Sequence, residues 1–282
     1  MDRANVTVIR PGRGWYDIDW KEFWAYRELL LLLAKRDITV IYKQTILGPA
    51  WFLIQPLLMA TVFSVVFGRI AHIPTDGMPR ILFYLSGLLV WNYFKGVMDG
   101  ASGAFTSAKA LFSKVYFPRL VVPTSFVVSN LVYLSLNAVI FFCFYGFKVL
   151  KGTSGLHITP WILLFPLVVV WIAAAALGFG LIVAALTTKY RDLKFAMPFV
   201  MQCWMYSSPI IYSLRGVQDP FFQLVLMLNP VGVAVEATRF MFFGRGLVTW
   251  NAIGIGAVVI LTAIWIGLGA YNRAQRNFVD TI

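Results

Sequence analysis

Apolar residues in this chain are gathered into long runs, broken by short polar connections, rather than alternating with polar ones along a single face. Six runs stand out, at about residues 51–70, 81–97, 121–147, 161–187, 195–212 and 253–271. A bilayer core about 30 Å thick is crossed by roughly 20 apolar residues in a helix, and each run is close to that length. The pattern predicts an all-α membrane protein with six transmembrane helices in a domain over residues 37–282.

The stretches outside the runs carry their own patterns. Residues 1–18 are polar, hold Arg3, Arg10 and Arg13, and read as a cytoplasmic tail. They lack the apolar centre of a secretory signal. Asp19 and Glu22 have the spacing of a capping box, with Asp19 able to cap a helix and Glu22 to reach back. The helix they open is predicted over 19–36. Trp20, Phe23, Trp24, Leu30, Leu31 and Ala34 lie broadly on one side of it, against Lys21, Arg27, Glu28, Lys35 and Arg36. That division suits an amphipathic helix lying in the membrane interface; an ordinary packed helix is the alternative. Gly48-Pro49 then breaks the chain ahead of the first span, since proline donates no backbone hydrogen bond.

Residues 214–248 are apolar but interrupted by Pro220, Pro230, Glu236, Arg239 and Arg245. The clean runs 221–228 and 231–243 are too short to cross alone. They are expected to form two short re-entrant external helices between spans five and six, joined at Asn229-Pro230. Glu236 and Arg239 lie three apart, so they share a helix face. They are expected to border a polar path at an external gate, because intramembrane charges are costly unless paired or wet. A static salt bridge is the plainer alternative.

Charge sets the orientation. Six spans put both termini on one side, with Lys35, Arg36, Lys43, Lys109, Lys114, Arg119, Lys189, Arg191, Lys194, Arg273 and Arg276. The other side has Arg69, Arg80, Lys148, Lys151, Arg215, Arg239 and Arg245. The richer side is cytoplasmic by the positive-inside rule. This also accounts for the net charge of +12 without invoking nucleic acid. The composition agrees, at 60% hydrophobic and 13% charged, where a soluble domain has about 25% charged residues.

Candidate chemistry is sparse. Cys143 and Cys203 sit inside apolar runs without a C-x-x-C partner, and read as small buried residues rather than disulfide or metal ligands. His72 and His157 fall in external connections, with no H-E-x-x-H motif or evident nucleophile beside them in sequence. No G-x-x-x-x-G-K-[ST] loop is present to hold nucleotide phosphates. The chain is therefore not expected to be an enzyme, nor to have a catalytic residue, metal or cofactor of its own.

Two cytoplasmic connections carry more information. One is Ala108-Lys109-Ala110-Leu111-Phe112-Ser113-Lys114-Val115-Tyr116-Phe117-Pro118-Arg119, an amphipathic segment offering Leu111, Phe112 and Tyr116 beside cations. Such a mixture invites a soluble partner. The other is Thr188-Lys189-Tyr190-Arg191-Asp192-Leu193-Lys194. Leu111-Phe112-Ser113-Lys114-Val115-Tyr116-Phe117-Pro118 from the first and Tyr190-Arg191-Asp192 from the second, together with Thr45-Ile46-Leu47-Gly48-Pro49-Ala50-Trp51, Ser208-Pro209-Ile210-Ile211-Tyr212, Asn229-Pro230 with Arg239, and the closing Phe278-Val279-Asp280-Thr281-Ile282, occur in order along the chain. In that order the chain resembles the membrane subunit of type-2 ABC exporters for polysaccharides, the O-antigen, capsule and teichoic-acid permeases. Tyr190 stands where that family more often has Phe.

The resemblance implies a permease in the bacterial inner membrane, paired with a second copy of itself and two copies of a P-loop ATPase subunit that binds ATP and Mg. It implies a long glycan on a polyprenyl diphosphate lipid as cargo. It implies coupling to the ATPase through Leu111, Phe112, Lys114, Tyr116, Phe117, Pro118 and Arg119, with Arg191 and Asp192 on the second connection. Aromatics of spans two and five, Trp91, Tyr93, Phe94, Phe195, Phe199, Trp204, Tyr206 and Tyr212, are candidates to line the glycan path; core packing and an interfacial aromatic belt are the alternative. Lys35, Arg36 and Lys43 are candidates for the lipid diphosphate, with anchoring on anionic lipid as the alternative. Rival functions are export of drugs or simple lipids, and an intramembrane glycosyl- or acyl-transferase. The latter would want buried acids or histidines that the spans almost entirely lack.

Overall fold

The computed structural model describes residues 19–43, 47–107, 116–152, 159–217 and 219–279, and among these the chain forms helices and turns without a strand. The helices are α1 (Trp20–Ala25), α2 (Arg27–Lys43), α3 (Trp51–Phe63), α4 (Arg80–Ser102), α5 (Ala104–Ser107), α6 (Val121–Leu150), α7 (Phe165–Lys189), α8 (Leu193–Tyr206), α9 (Pro220–Leu228), α10 (Pro230–Phe243) and α11 (Trp250–Val279).

Asp19 caps α1, its carboxylate accepting from the N–H groups of Lys21 (3.1 Å) and Glu22 (3.0 Å). The single helix expected over 19–36 is two helices. The chain turns at Tyr26, and α2 then continues to Lys43. The apolar residues divide as well. Phe23, Leu29, Leu30 and Leu33 pack with Phe105, Phe117, Val121, Leu181 and Tyr271, and Ala34 is buried, while Trp20, Trp24, Leu31 and Leu32 face outward. Apolar on both sides, this segment can rest on the bundle and on lipid at once.

Five stretches are long and apolar enough to cross a bilayer among the described residues: Trp51–Ile70, Arg80–Ser102, Val121–Leu150, Pro160–Lys189 and Trp250–Gln275. The first carries Pro56 inside α3 and widens over Ser64–Ile70, where the Ala71 N–H reaches back to the Val66 carbonyl at 2.9 Å.

The expected fifth span, 195–212, is not one helix. α8 stops at Tyr206, ahead of turns through Ser207, Ser208 and Pro209. Its 14 residues rise about 21 Å. The segment still travels the length of α4. Near its start the Lys194 ammonium donates to the Thr106 hydroxyl, 2.7 Å away and just past the end of α4. Beyond its finish the Ser213 hydroxyl bonds Asp76, just ahead of the start of α4. Turns complete the crossing, with Ile210 packed against Gly87.

α9 and α10 form a hairpin bent by 89°. Both its ends lie at one end of the bundle: Gly216 is beside Pro74, and Arg245 donates to the Asp76 carbonyl. Its vertex sits deeper, where the Trp171 indole donates to the Pro230 carbonyl at 2.9 Å. The opposite, basic end of the bundle carries Arg119, Lys189, Arg191, Lys194 and Arg273.

α4 is the centre of the molecule. Phe83, Tyr84, Tyr93, Phe94 and Val97 are buried against α3, α6, α7 and α10. The closest helix pair is α7 with α11. A Cβ on Gly267 would stand 2.6 Å from the Gly178 carbonyl oxygen, and one on Gly178 would stand 2.9 Å from the Ile264 nitrogen. Small residues at such crossings let membrane helices gain contact along their backbones. Cys143 and Cys203, expected to be buried, are exposed. Lipid tails are as apolar as a core, so an apolar run does not tell which of the two a small residue meets.

Candidate functional site

A groove of about 830 Å³ runs along α4, walled by α3, α6 and α8 and closed at one corner by α2. Ligand sites commonly hold about 300–1,000 Å³. Each wall presents residues at helical spacing, and the polar ones among them are Gln55 on α3, Asn92 and Lys95 on α4, Ser129, Asn130, Tyr133 and Asn137 on α6, and Gln202 and Tyr206 on α8, with Asp37 from α2. Toward the basic end a second pocket of about 440 Å³ shares Lys95, Pro198 and Met201 with the groove, and adds Asp99, Ser102, Thr106, Thr187 and Lys194.

Local bonding explains how amides sit in apolar helices. The Asn130 side-chain NH₂ donates to the Phe126 carbonyl (2.8 Å), and that of Asn137 donates to the Tyr133 carbonyl (2.7 Å). Donors satisfied within their own helix avoid the cost of an unmade bond. Close approach of α4 to α6 depends on Gly96 and Gly100, where a Cβ would meet Asn130 at 2.1 Å and Phe126 at 2.4 Å. The Lys95 ammonium pairs with the Asp99 carboxylate at 3.2 Å. The lining therefore sets amides and hydroxyls among apolar side chains, and its few charges are balanced.

The aromatics proposed for a path are dispersed. Trp91 and Tyr206 line the groove. Tyr93 and Phe94 are buried, the Tyr93 hydroxyl donating to the Val127 carbonyl at 3.3 Å and Phe94 lying edge-on to Trp204 at 5.0 Å. The Trp204 indole donates to Asn229 at 3.1 Å, and Tyr212 packs against the main core. Phe195 and Phe199 are 87% and 71% exposed on the outer side of α8. The groove residues overlooked in the sequence are the amides and hydroxyls. Their signal was available: Ser129, Asn130, Tyr133 and Asn137 repeat at helical spacing inside an apolar run.

At the far end Glu236 and Arg239 do meet, Nη1 donating to Oε1 at 2.9 Å. They do not border an open path. Glu236 is 3% exposed and Arg239 1%. The guanidinium also donates to the carbonyls of Ile210 (3.1 Å) and Tyr212 (3.4 Å), and the Leu247 N–H donates to the second Glu236 oxygen at 2.8 Å. Val233 is buried, whereas Phe240 is partly exposed. Asn229 caps α10 by accepting from the Val231 N–H, its NH₂ reaches Ser208 at 2.8 Å, and Pro230 occupies the first turn. Here the charges form a buried tie, bonded to each other and to backbone groups of the neighbouring turns.

At the basic end, Leu111, Phe112 and Lys114 lie outside the described residues. The chain that follows is anchored. Tyr116 is exposed while its carbonyl accepts from the Tyr26 hydroxyl at 3.2 Å, Phe117 is buried, and Pro118 leads into the turn before α6. Arg119 donates to the Gln275 carbonyl at 2.7 Å, and its own carbonyl accepts from the Tyr271 hydroxyl at 3.2 Å. Burial lowers the Arg119 pKa from its ordinary value, opposed by Tyr271 and Tyr116; a guanidinium stays charged regardless. Arg191 and Asp192 are exposed on the turn before α8. The bond between Lys194 and Thr106 brings this turn beside α5.

Lys35 and Lys43 are exposed on α2. Arg36 differs, because its Nε and Nη2 hold the Asp37 carboxylate at 3.0 and 2.8 Å.

Comparison with known proteins bears on this arrangement. A family model described as "ABC-2 type transporter" matches residues 28–243. The chain is similar to an O-antigen export system permease protein RfbA of Myxococcus xanthus, 27% identical over 93% of this chain and 98% of the relative. It is also similar to a protein of the same name from Klebsiella pneumoniae, 24% identical over 90% of this chain and 95% of the relative. A polysialic acid transport protein KpsM of Escherichia coli is 21% identical over 88% of this chain and 94% of the relative.

Proposed function

Because the chain belongs to the ABC-2 type transporter family, we propose that it is the membrane subunit of an exporter for a lipid-linked polysaccharide, driven by ATP hydrolysis in a separate chain. The observation that carries this reading is the groove, in which a stripe of Ser129, Asn130, Tyr133 and Asn137 on α6 is joined by Gln55, Asn92, Gln202 and Tyr206 from three other apolar helices, and which shares residues with a pocket at the basic end. Sugar hydroxyls both donate and accept, and neutral amides serve both without trapping the cargo by charge. The names of the relatives, which concern O-antigen and polysialic acid, point the same way.

On this reading the basic end is cytoplasmic, and the hairpin of α9 and α10 re-enters the membrane from outside. A second copy faces the sparsely covered α3 and α8 and encloses the groove. The ATPase, which holds ATP and magnesium, docks on the surface shared by residues 108–119 and by Arg191 and Asp192. For the charged end of the lipid, Lys35 and Lys43 are the stronger of the three candidates, since Arg36 is engaged by Asp37.

The test is a chromosomal Asn92→Trp variant, which fills the groove from α4. Surface glycan should fall at least tenfold, with glycan accumulating inside and the permease level unchanged. Normal surface glycan in that variant, or in a strain lacking the gene, would overturn the proposal.

A further inference from the structure

One corner of the groove, where α2, the start of α3 and α6 meet, holds three polar atoms left without partners. They are Asp37 Oδ2, the Tyr133 hydroxyl and Asn137 Oδ1, each buried and unbonded, and all three residues line the groove. Their remaining groups are committed. Arg36 occupies Asp37 Oδ1, and the Asn137 NH₂ is spent on the Tyr133 carbonyl at 2.7 Å. Phe52 holds the Tyr133 ring edge-on, with centroids 4.5 Å apart. The corner thus offers two fixed acceptors and one phenol that can donate or accept, beside two aromatic rings.

Buried polar atoms are nearly always paired, and an exception calls for a ligand, a water or an ion. Inside an apolar bundle the cost of leaving them bare is larger than at a surface. The excess here is of acceptors, so the missing partner is a donor. Adjacent hydroxyls of one sugar ring supply two donors a few ångströms apart and a C–H face for the flanking ring.

We propose that Asp37, Tyr133 and Asn137 form a sugar-recognition subsite, which accepts hydrogen bonds from ring hydroxyls of the glycan and so discriminates it from the bare carrier lipid. This rests on the polysaccharide-export reading and extends it to the residues that sense the sugar. Arg36 acts as a positioning residue, holding Asp37 Oδ1 and leaving Oδ2 unbonded.

The experiment uses the full complex of permease and ATPase in lipid nanodiscs. ATP hydrolysis is titrated with two probes: lipid-linked glycan extracted from cells lacking the permease, and sugar-free polyprenyl diphosphate. The readout is the ratio of half-maximal concentrations, sugar-free over glycosylated. The wild-type ratio should exceed one. Asn137→Leu and Asp37→Asn should each lower it about tenfold, the scale of one lost hydrogen bond. Tyr133→Phe, which removes a single oxygen and keeps the ring, serves if either of those fails to assemble. An unchanged ratio in all assembled variants overturns the subsite. So does a wild-type ratio that falls to the variants' value when sodium is exchanged for a large organic cation, which would assign the acceptors to a metal ion. A wild-type complex that ignores the glycosylated lipid altogether would instead defeat the export reading.

Discussion

The Arg239 guanidinium lies over the ring of Phe83, 3.6 Å from its centre. Phe83 belongs to α4 and Arg239 to α10, and the same cation holds the turn after α8 through the Ile210 and Tyr212 carbonyls. Arg239→Ala would strand Glu236 and those carbonyls in a dry site. Breaking one side of a buried pair costs about 3–5 kcal/mol, so the variant should lose folded yield and melt well below wild type in detergent. Arg239→Lys keeps the charge but not the planar fork, and should fall between. A melting temperature equal to wild type for the alanine variant would show that the tie adds no stability.

The crossing of α7 and α11 should tolerate nothing larger than glycine at its contact. In Gly267→Leu a side chain would run into the Gly178 carbonyl, and folded dimer or monomer in detergent should fall severalfold. Gly254 on the same helix has open space around it, so Gly254→Ala should be neutral or stabilising by up to about 1 kcal/mol. Thermal melts of the two variants side by side measure the difference.

Length and apolarity made the crossing helices legible, because a bilayer imposes both. The end of the fifth crossing was not: an apolar run reads the same whether Ser207 to Tyr212 continue a helix or finish the passage as turns. The meeting of Glu236 with Arg239 followed from their spacing. What surrounds them did not, since the Ile210 carbonyl and the Leu247 amide come from distant segments. The groove was hidden for another reason. Aromatics are the conspicuous residues of spans two and five, yet Phe94 and Trp204 meet edge to face, while the less conspicuous Asn130 and Asn137 line the space. Spacing inside one helix was readable, and the pairing of faces between helices was not.

Coupling should depend on side chains at the basic end. Phe112→Ala should cut co-purification of the ATPase, or uncouple hydrolysis from export, with membrane insertion intact; aromatic anchors of this kind commonly carry 2 kcal/mol or more of an interface, about thirtyfold in affinity. Tyr116→Phe should be mild, because the bond from Tyr26 goes to the Tyr116 backbone. Pull-down from solubilised membranes reads both. Full assembly and activity in Phe112→Ala would remove the segment from the interface.

Orientation is open to direct chemistry. After replacement of the exposed Cys143 and Cys203, a single cysteine at Thr153 should react with an impermeant maleimide in intact cells, and one at Ser113 only after lysis. The reverse pattern would invert the molecule.

α4 poses a problem of biogenesis. It is the least apolar of the five long helices, yet 78% of its central stretch is buried, against 22% for the more apolar Trp51–Ile70. A segment carrying Asn92, Lys95 and Asp99 partitions poorly into lipid by itself. Its residence in the bilayer is therefore a debt settled late, once α6 and α7 have been synthesised and closed around it. A nascent chain arrested just after α4 should leave that helix at the translocon or in water, and release it into the membrane only when the following two spans emerge.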